Sequence, residues 1–274
     1  MIIKVVVIIL LLSYLANTNE AFGQNNINKA KMPKIIWAYW DNTDLPDIVK
    51  LCQLNWRKFA PNYKINLIHK KDVTNWVDMP KGWEKLPKYR QSDVLRLKLI
   101  EKYGGLWLDA STFLLANPDM FISKNDITLF TKPGSTLAKP IYENWFIAAP
   151  AHHPVIKKWV ADVVIAVKNE KAYAMRSPPV NRESLSLPYF ICHLALRNIY
   201  AANKKLFVNG TYYNSETTAF YEFSKHTNDT NYYSDVVKKN VFKSFKLDPG
   251  RLLIKLSKTH RKFITPEKIP KILY

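Results

Sequence analysis

The chain reads as an α/β protein with a mostly parallel central sheet, and three observations predict it. Its candidate strands are short and almost wholly apolar, as strands covered on both faces must be. Candidate helices of 10–16 residues alternate with them along the first half, which is the β-α-β-α order of a sheet with helices on both faces. Finally, residues 90–111 read as a helix, a glycine stop and a buried strand ending on Asp109. In open α/β sheets, ligands sit at such carboxyl ends.

The elements follow in order. Residues 1–23 stand apart from the fold. Lys4 precedes an apolar run from Val5 to Leu12, and Ala21-Phe22-Gly23 resembles a small-residue cleavage site, so this is a signal peptide or a membrane anchor. A polar linker occupies 24–32, and 33–274 is one catalytic-size domain, with a first half at 33–150 and a second half at 151–274. Ile35–Trp40 is the first central strand, Asp47–Phe59 a helix, and Ile65–Ile68 a second strand. Another helix begins at Lys70–Trp76. The helix before Asp109 carries Val94, Leu95, Leu97, Leu99, Ile100 and Tyr103 at helical spacing, with Ser92 or Asp93 as its cap and Gly104-Gly105 as its left-handed stop. Leu106–Leu108 is the strand that delivers Asp109. Asp126–Phe130 and Trp145–Ala148 read as later strands, His153–Lys168 as a helix with Pro154 in its first turn, and Pro188–Tyr200 as an aromatic-rich helix.

Asp93, Arg96 and Asp109 are the charged residues that this helix–glycine–strand unit brings to one rim. Taken singly, each has an ordinary explanation, an Asx-turn for Asp109 and a helical ion pair for Asp93 with Arg96. Together they suit a nucleotide diphosphate and its metal.

Ser92-Asp93-Val94-Leu95-Arg96, followed by Tyr103-Gly104-Gly105-Leu106-Trp107-Leu108-Asp109-Ala110-Ser111, resembles the sugar-nucleotide core of capsular-polysaccharide-synthesis glycosyltransferases. These are relatives of the DXD sugar-binding-region transferases, which include yeast initiating mannosyltransferases and the clostridial glucosylating toxins. Met32–Trp40, Cys52 to Trp56, Pro61-Asn62-Tyr63 and Asn144–Ala149 are similar to the same family, over residues 33 to about 160. The resemblance implies a GT-A-like nucleotide-sugar-binding fold and a hexosyltransferase-like activity with a retaining course. It implies that Asp93 holds the donor ribose or base, that Arg96 braces the acids or the donor sugar, and that Asp109 is the metal ligand, with Asp109 and Arg96 catalytic. Trp37, Asn144, Ser111 and Lys255 join Asp93 as candidate donor- and cofactor-binding residues. Ser111 stands where the wider group has a second acid, so a divalent cation, Mn²⁺ or Mg²⁺, keeps one carboxylate and a hydroxyl as protein ligands. Lys255-Leu256-Ser257 is similar to the family's closing segment, from which Lys255 or His260 would reach the diphosphate. Partners implied are a nucleotide-sugar donor, a saccharide or glycolipid acceptor and a membrane surface. Tyr189, Phe190 and His193 are candidates for the acceptor side, against the ordinary alternative that they are core.

Composition limits the alternatives. With seven glycines and no G-x-G-x-x-G or Walker A loop, the chain is not a glycine-rich dinucleotide fold. The net charge of +19 is concentrated late, with eleven Lys/Arg against three acids from Asp235 to Tyr274. That attracts polyanions, including anionic lipid and nucleotide diphosphate. No nucleic-acid-binding signature accompanies it. Cys52 and Cys192 are too far apart in sequence for a metal-ligand pair, and they read as free buried thiols or one bridge. The domain is expected at a membrane through 1–23, on the cytoplasmic face in a bacterium or in the Golgi lumen in a eukaryote, where Asn209 and Asn228 would be glycosylation acceptors. Secretion after cleavage is the alternative. The competing function is a non-catalytic carbohydrate or polyanion binder on the same fold.

Overall fold

The computed structural model describes residues 31–132, 134–135, 140–176, 189–224, 242, 245–248, 250–258 and 260–274. Residues 32–274 form one compact unit. The expected signal or anchor segment, Asn228 and Pro188 lie outside the described residues. No described helix is long and apolar enough to cross a membrane.

The elements are β1 (Ile35–Tyr39), α1 (Asp47–Phe59), β2 (Lys64–Ile68), α2 (Lys88–Tyr103), β3 (Gly105–Leu108), β4 (Thr112–Leu114), β5 (Thr128–Thr131), β6 (Tyr142–Ala149), α3 (Pro154–Ala166), α4 (Glu170–Arg176), α5 (Ile191–Ala202), β7 (Thr211–Asn214), α6 (Tyr221–Ser224), β8 (Leu253–Lys255) and α7 (His260–Phe263). Six strands form the main sheet in the order β2-β1-β3-β6-β5-β7, and β4 pairs with β8 in a second, two-stranded sheet. The pairs β1/β2, β1/β3 and β5/β7 are parallel. β6 runs against both its neighbours, so the sheet is mixed, with one reversed strand at its centre.

Alternate residues of the central strands feed opposite cores. Ile36, Ala38, Leu106, Leu108, Phe146 and Ala148 pack with α1, β4 and β8. Trp37, Tyr39, Trp107, Ile147 and Ala149 pack with α2, α3 and α5. Both faces are therefore covered, which is why these strands read as unbroken apolar runs. Cys52 and Cys192 are buried and free, which excludes the bridge.

Two expected elements differ. Residues 70–75 form a 3₁₀ helix rather than the start of an α-helix. α2 begins at Lys88, not at Ser92 or Asp93, because Pro87 sets the entry and its carbonyl accepts from the Arg90 and Gln91 amides at 2.8 and 2.9 Å. Asp93 thus lies inside the helix, and its carboxylate is free to bond sideways rather than cap. The glycine stop is as expected. Gly104 and Gly105 have φ of +65° and +98°, and a Cβ on Gly104 would lie 2.5 Å from the Ala151 nitrogen.

Candidate functional site

α2 presents Arg90, Asp93 and Arg96 at three-residue intervals, so one stripe of the helix is ionic although the helix is buried nearly all round. Arg90 is fully buried. Its Nη1 donates to Asp93 Oδ2 at 2.6 Å and its Nε to Glu170 Oε1 of α4 at 2.7 Å. Asn144 of β6 donates from Nδ2 to Asp93 Oδ1 at 2.8 Å, and Arg96 Nη2 stands 3.3 Å from the same oxygen. Arg96 also bonds the Asn144 carbonyl and donates to Ser92 Oγ at 3.0 Å.

The strand unit meets this stripe. Asp109 follows Leu108 at the carboxyl end of β3, on the face that Trp107 occupies, and its amide donates to the Trp145 carbonyl at 2.9 Å. Its Oδ1 accepts from Trp107 Nε1 at 3.1 Å and faces Arg96 Nη1 at 3.4 Å. Lys255 Nζ donates to Oδ2 at 2.8 Å. Arg96 therefore bridges Asp93 and Asp109, with its guanidinium 5.1 Å from the Trp107 ring centroid. The Asp109 side chain is 28% exposed against 7% for Asp93 and 9% for Lys255, so it is the open face of the cluster.

Electrostatics follow the geometry. Burial pushes the Asp109 carboxyl up, but Lys255 and Arg96 outweigh it and hold the group below the usual carboxylate range. Burial pulls the Lys255 ammonium down from the ordinary lysine range, against the pull of Asp109. Asp93 is raised, because desolvation exceeds the combined effect of Arg96 and Arg90.

Ser111 is 2% exposed. Its hydroxyl donates to the Leu256 carbonyl at 2.9 Å and accepts from Lys255 Nζ at 3.3 Å and Arg261 Nη1 at 2.8 Å. Lys255 reaches this place because β8 pairs with β4 in the register Thr112↔Lys255. These residues do not fit a divalent cation. A hard ion at a diphosphate site is held by one or two carboxylates together with the phosphates, whereas here the two side chains that would flank it are bridged by an ammonium and backed by a guanidinium. Among the described residues no group of three His, Cys, Asp or Glu side chains is placed to hold a metal. The expected metal role of Asp109 and the expected cofactor role of Ser111 thus meet a site whose centre is a lysine.

Trp37, expected among the donor-binding residues, is core instead. It is 1% exposed, its ring lies 5.1 Å from Trp76 and 5.3 Å from Tyr103, and its Nε1 is spent on the Gly104 carbonyl. His260 stacks on Phe223 with centroids 3.8 Å apart and lies 1% exposed, which places it in the core rather than against a ligand. Of the acceptor candidates, Tyr189 is 56% exposed and stands 5.4 Å from Tyr89, itself 39% exposed. His193 is buried, with Nε2 3.4 Å from Glu143 Oε2. Arg90, Glu170 and Arg261 were not foreseen. Arg90 had a signal, the three-residue step before Asp93; Glu170 and Arg261 had none.

A family model described as "Capsular polysaccharide synthesis protein" matches residues 5–249. The chain is 28% identical over 155 residues to a protein of Annulohypoxylon truncatum named O-glycosyltransferase braB, a stretch that makes up 46% of this chain and 36% of that protein. The match thus spans about a third of the length of this curated relative. Among solved structures, the chain is similar to the PaToxG glycosyltransferase, with 14% identity, a TM-score of 0.44, and 85% of this chain and 84% of that one covered. It is also similar to a glycosyltransferase involved in the glycosylation of the major capsid of PBCV-1, with 12% identity, a TM-score of 0.38, and coverages of 84% and 97%.

Proposed function

The chain belongs to the capsular polysaccharide synthesis protein family, and from that premise we propose that it is a glycosyltransferase that moves a sugar from a nucleotide-sugar donor to a hydroxyl of a saccharide or glycolipid. One observation carries the reading: Arg96 holds two carboxylates, Asp93 and Asp109, together at the carboxyl edge of β3, with Asp109 the exposed member. In the reaction the bond from the anomeric carbon to the diphosphate oxygen breaks, and its electron pair leaves with the nucleoside diphosphate. The acceptor oxygen bonds to the anomeric carbon, and its proton passes to the departing phosphate or to solvent. Asp109 offers an oxygen edge to donor hydroxyls, and the surrounding positive charge meets the diphosphate. Tyr89 and Tyr189 supply exposed aromatic faces next to one another, of the kind sugar rings pack against. A GT-A-like fold and a retaining, hexosyl-transferring course, as the family resemblance implies, complete the reading. The basic late segment fits a membrane-surface location with a glycolipid acceptor.

The test is release of nucleoside diphosphate from a panel of UDP- and GDP-sugars by the full chain. Turnover of at least one donor, lost in Asp109→Asn, is the expected result. A second reading, a non-catalytic carbohydrate or polyanion binder, is favoured by the cations already seated on both carboxylates. Binding without turnover of any donor would decide for it.

A further inference from the structure

We infer that this chain supplies its own leaving-group cation: Lys255, backed by Arg261, takes the place of a divalent metal in neutralising the diphosphate. The inference rests on the donor-binding reading above and concerns the same site.

Three observations carry it. The first is position. Lys255 Nζ bridges Asp109 Oδ2 at 2.8 Å and Ser111 Oγ at 3.3 Å, the two side chains between which a cation would lie. The ammonium satisfies both, as a hard cation would, and a metal entering there must first expel it. Arg261 Nη1, 2.8 Å from Ser111 Oγ, adds a second positive charge behind the first. The second observation is charge. Among the described residues, Arg90, Arg96, Lys255 and Arg261 are bonded into one cluster with Asp93, Asp109 and Glu170. Within this described set the balance is positive, which attracts a diphosphate and repels a divalent cation. The third is residue 111 itself. A hydroxyl that receives two cationic donors and gives its proton to the Leu256 carbonyl has a purely protein environment. A carboxylate there would bind the same two cations more tightly and cancel the surplus charge. Serine keeps it.

Lys255 also has capacity left over. An ammonium carries three N–H groups, and Asp109 and Ser111 take two of them. The third serves a phosphate oxygen as negative charge builds there. Both cations lie beyond residue 249, where the family match ends, and they reach the site only through the β4/β8 pairing and the turn into α7. Lys255 stands in the Lys255-Leu256-Ser257 stretch that is similar to the family's closing segment, and Arg261 follows it in α7.

The experiment is calorimetry of the full chain with UDP and GDP, in EDTA and then in Mn²⁺, alongside electron paramagnetic resonance of Mn²⁺ mixed with the protein. The expected result is nucleotide binding of equal affinity in EDTA and in Mn²⁺, with no protein-bound Mn²⁺ signal. Lys255→Met should weaken that binding about 10- to 100-fold, the loss of one charged hydrogen bond, without rescue by Mn²⁺, while Lys255→Arg keeps most of it. Thermal unfolding of each variant separates lost binding from lost fold, and the wild-type comparison stands without any variant. Binding that appears only with Mn²⁺ would overturn the inference and leave the glycosyltransferase reading intact. Binding of neither nucleotide under either condition would overturn both.

Discussion

Replacing Asp93 with alanine tests whether the ionic stripe of α2 holds the site together. The carboxylate is 7% exposed and is shared by Arg90, Arg96 and Asn144. Removing one partner of a buried pair costs about 3–5 kcal/mol, because the other charge is left without compensation. Here the lower end applies. Arg90 keeps Glu170 at 2.7 Å, and Arg96 keeps Asp109 at 3.4 Å together with Ser92 and the Asn144 carbonyl. The expected loss is about 3 kcal/mol, or a fall in Tm of roughly 6–12 °C at about 2–4 °C per kcal/mol for a domain of this size. Urea unfolding of wild type and variant at one temperature measures it, with UDP and GDP affinity recorded on the same samples. Because Arg96 is aimed by Asp93, affinity should fall together with stability, by about 1–3 kcal/mol. A stability loss under about 1 kcal/mol, the range of exposed ion pairs, would refute the buried network. Unchanged affinity beside a large stability loss would refute its link to the donor.

Asp109→Asn should abolish transfer while costing about 1–2 kcal/mol of stability, since Trp107 Nε1 keeps its acceptor and Lys255 keeps Ser111; full activity would end the proposed role. Gly104→Ala should destabilise by about 3 kcal/mol or more, because φ of +65° and a 2.5 Å approach to the Ala151 nitrogen leave a methyl group no place; denaturant titration checks it. Asn55→Ala should cost about 2–4 kcal/mol, since its fully buried amide bonds both the nitrogen and carbonyl of Leu114 and the carbonyl of Leu273; its readout is loss of the closing segment's protection in hydrogen exchange. His153 caps α3 through an Nδ1 acceptor at 3.3 Å, and burial holds it below the ordinary histidine pKa against the pull of Asp126. Its contribution is complete above the unfolded value of about 6.5 and is lost as pH falls through the lower folded value. Stability should therefore decline below about pH 6.5, and His153→Asn should flatten that slope in urea midpoints taken between pH 7 and pH 5.

The sheet's strands were legible where burial on both faces leaves its mark. Ile35–Tyr39 and Gly105–Leu108 are apolar enough to stand out, Lys64–Ile68 at the sheet edge is only partly buried and carries a weaker apolar mark, and Asp47–Phe59 agrees with its expected bounds. The start of α2 was not legible, because Lys88, Tyr89, Arg90 and Gln91 look like a solvated entrance. In fact Arg90 and Gln91 are buried against Glu170, Asp93 and the Glu84 and Leu86 carbonyls. A polar residue carries no periodic signal for burial when its partners lie on other elements. The three-residue β4 and β8 were invisible for another reason: at that length an apolar run is indistinguishable from any loop that touches the core.

That blind spot decided what could be read of the site. Asp93, Arg96 and Asp109 sit within 17 residues of one another, so helix and strand geometry places them on one rim. Lys255 lies 146 positions from Asp109, and only the pairing of β4 with β8 brings it there. Read along the chain, Lys255 is singled out only by the resemblance of Lys255-Leu256-Ser257 to the family's closing segment, and Arg261 is one of the eleven late cations that suggest a polyanion-attracting surface. Folded, these two turn inward onto Asp109 and Ser111, with Lys255 7% exposed, so that part of the basic excess is chemistry of the site rather than coating. The departure at Ser111 changes meaning in the same way. Beside Asp109 alone it reads as a weakened metal ligand; beside two buried cations it is the neutral residue that leaves their charge available to an anionic ligand.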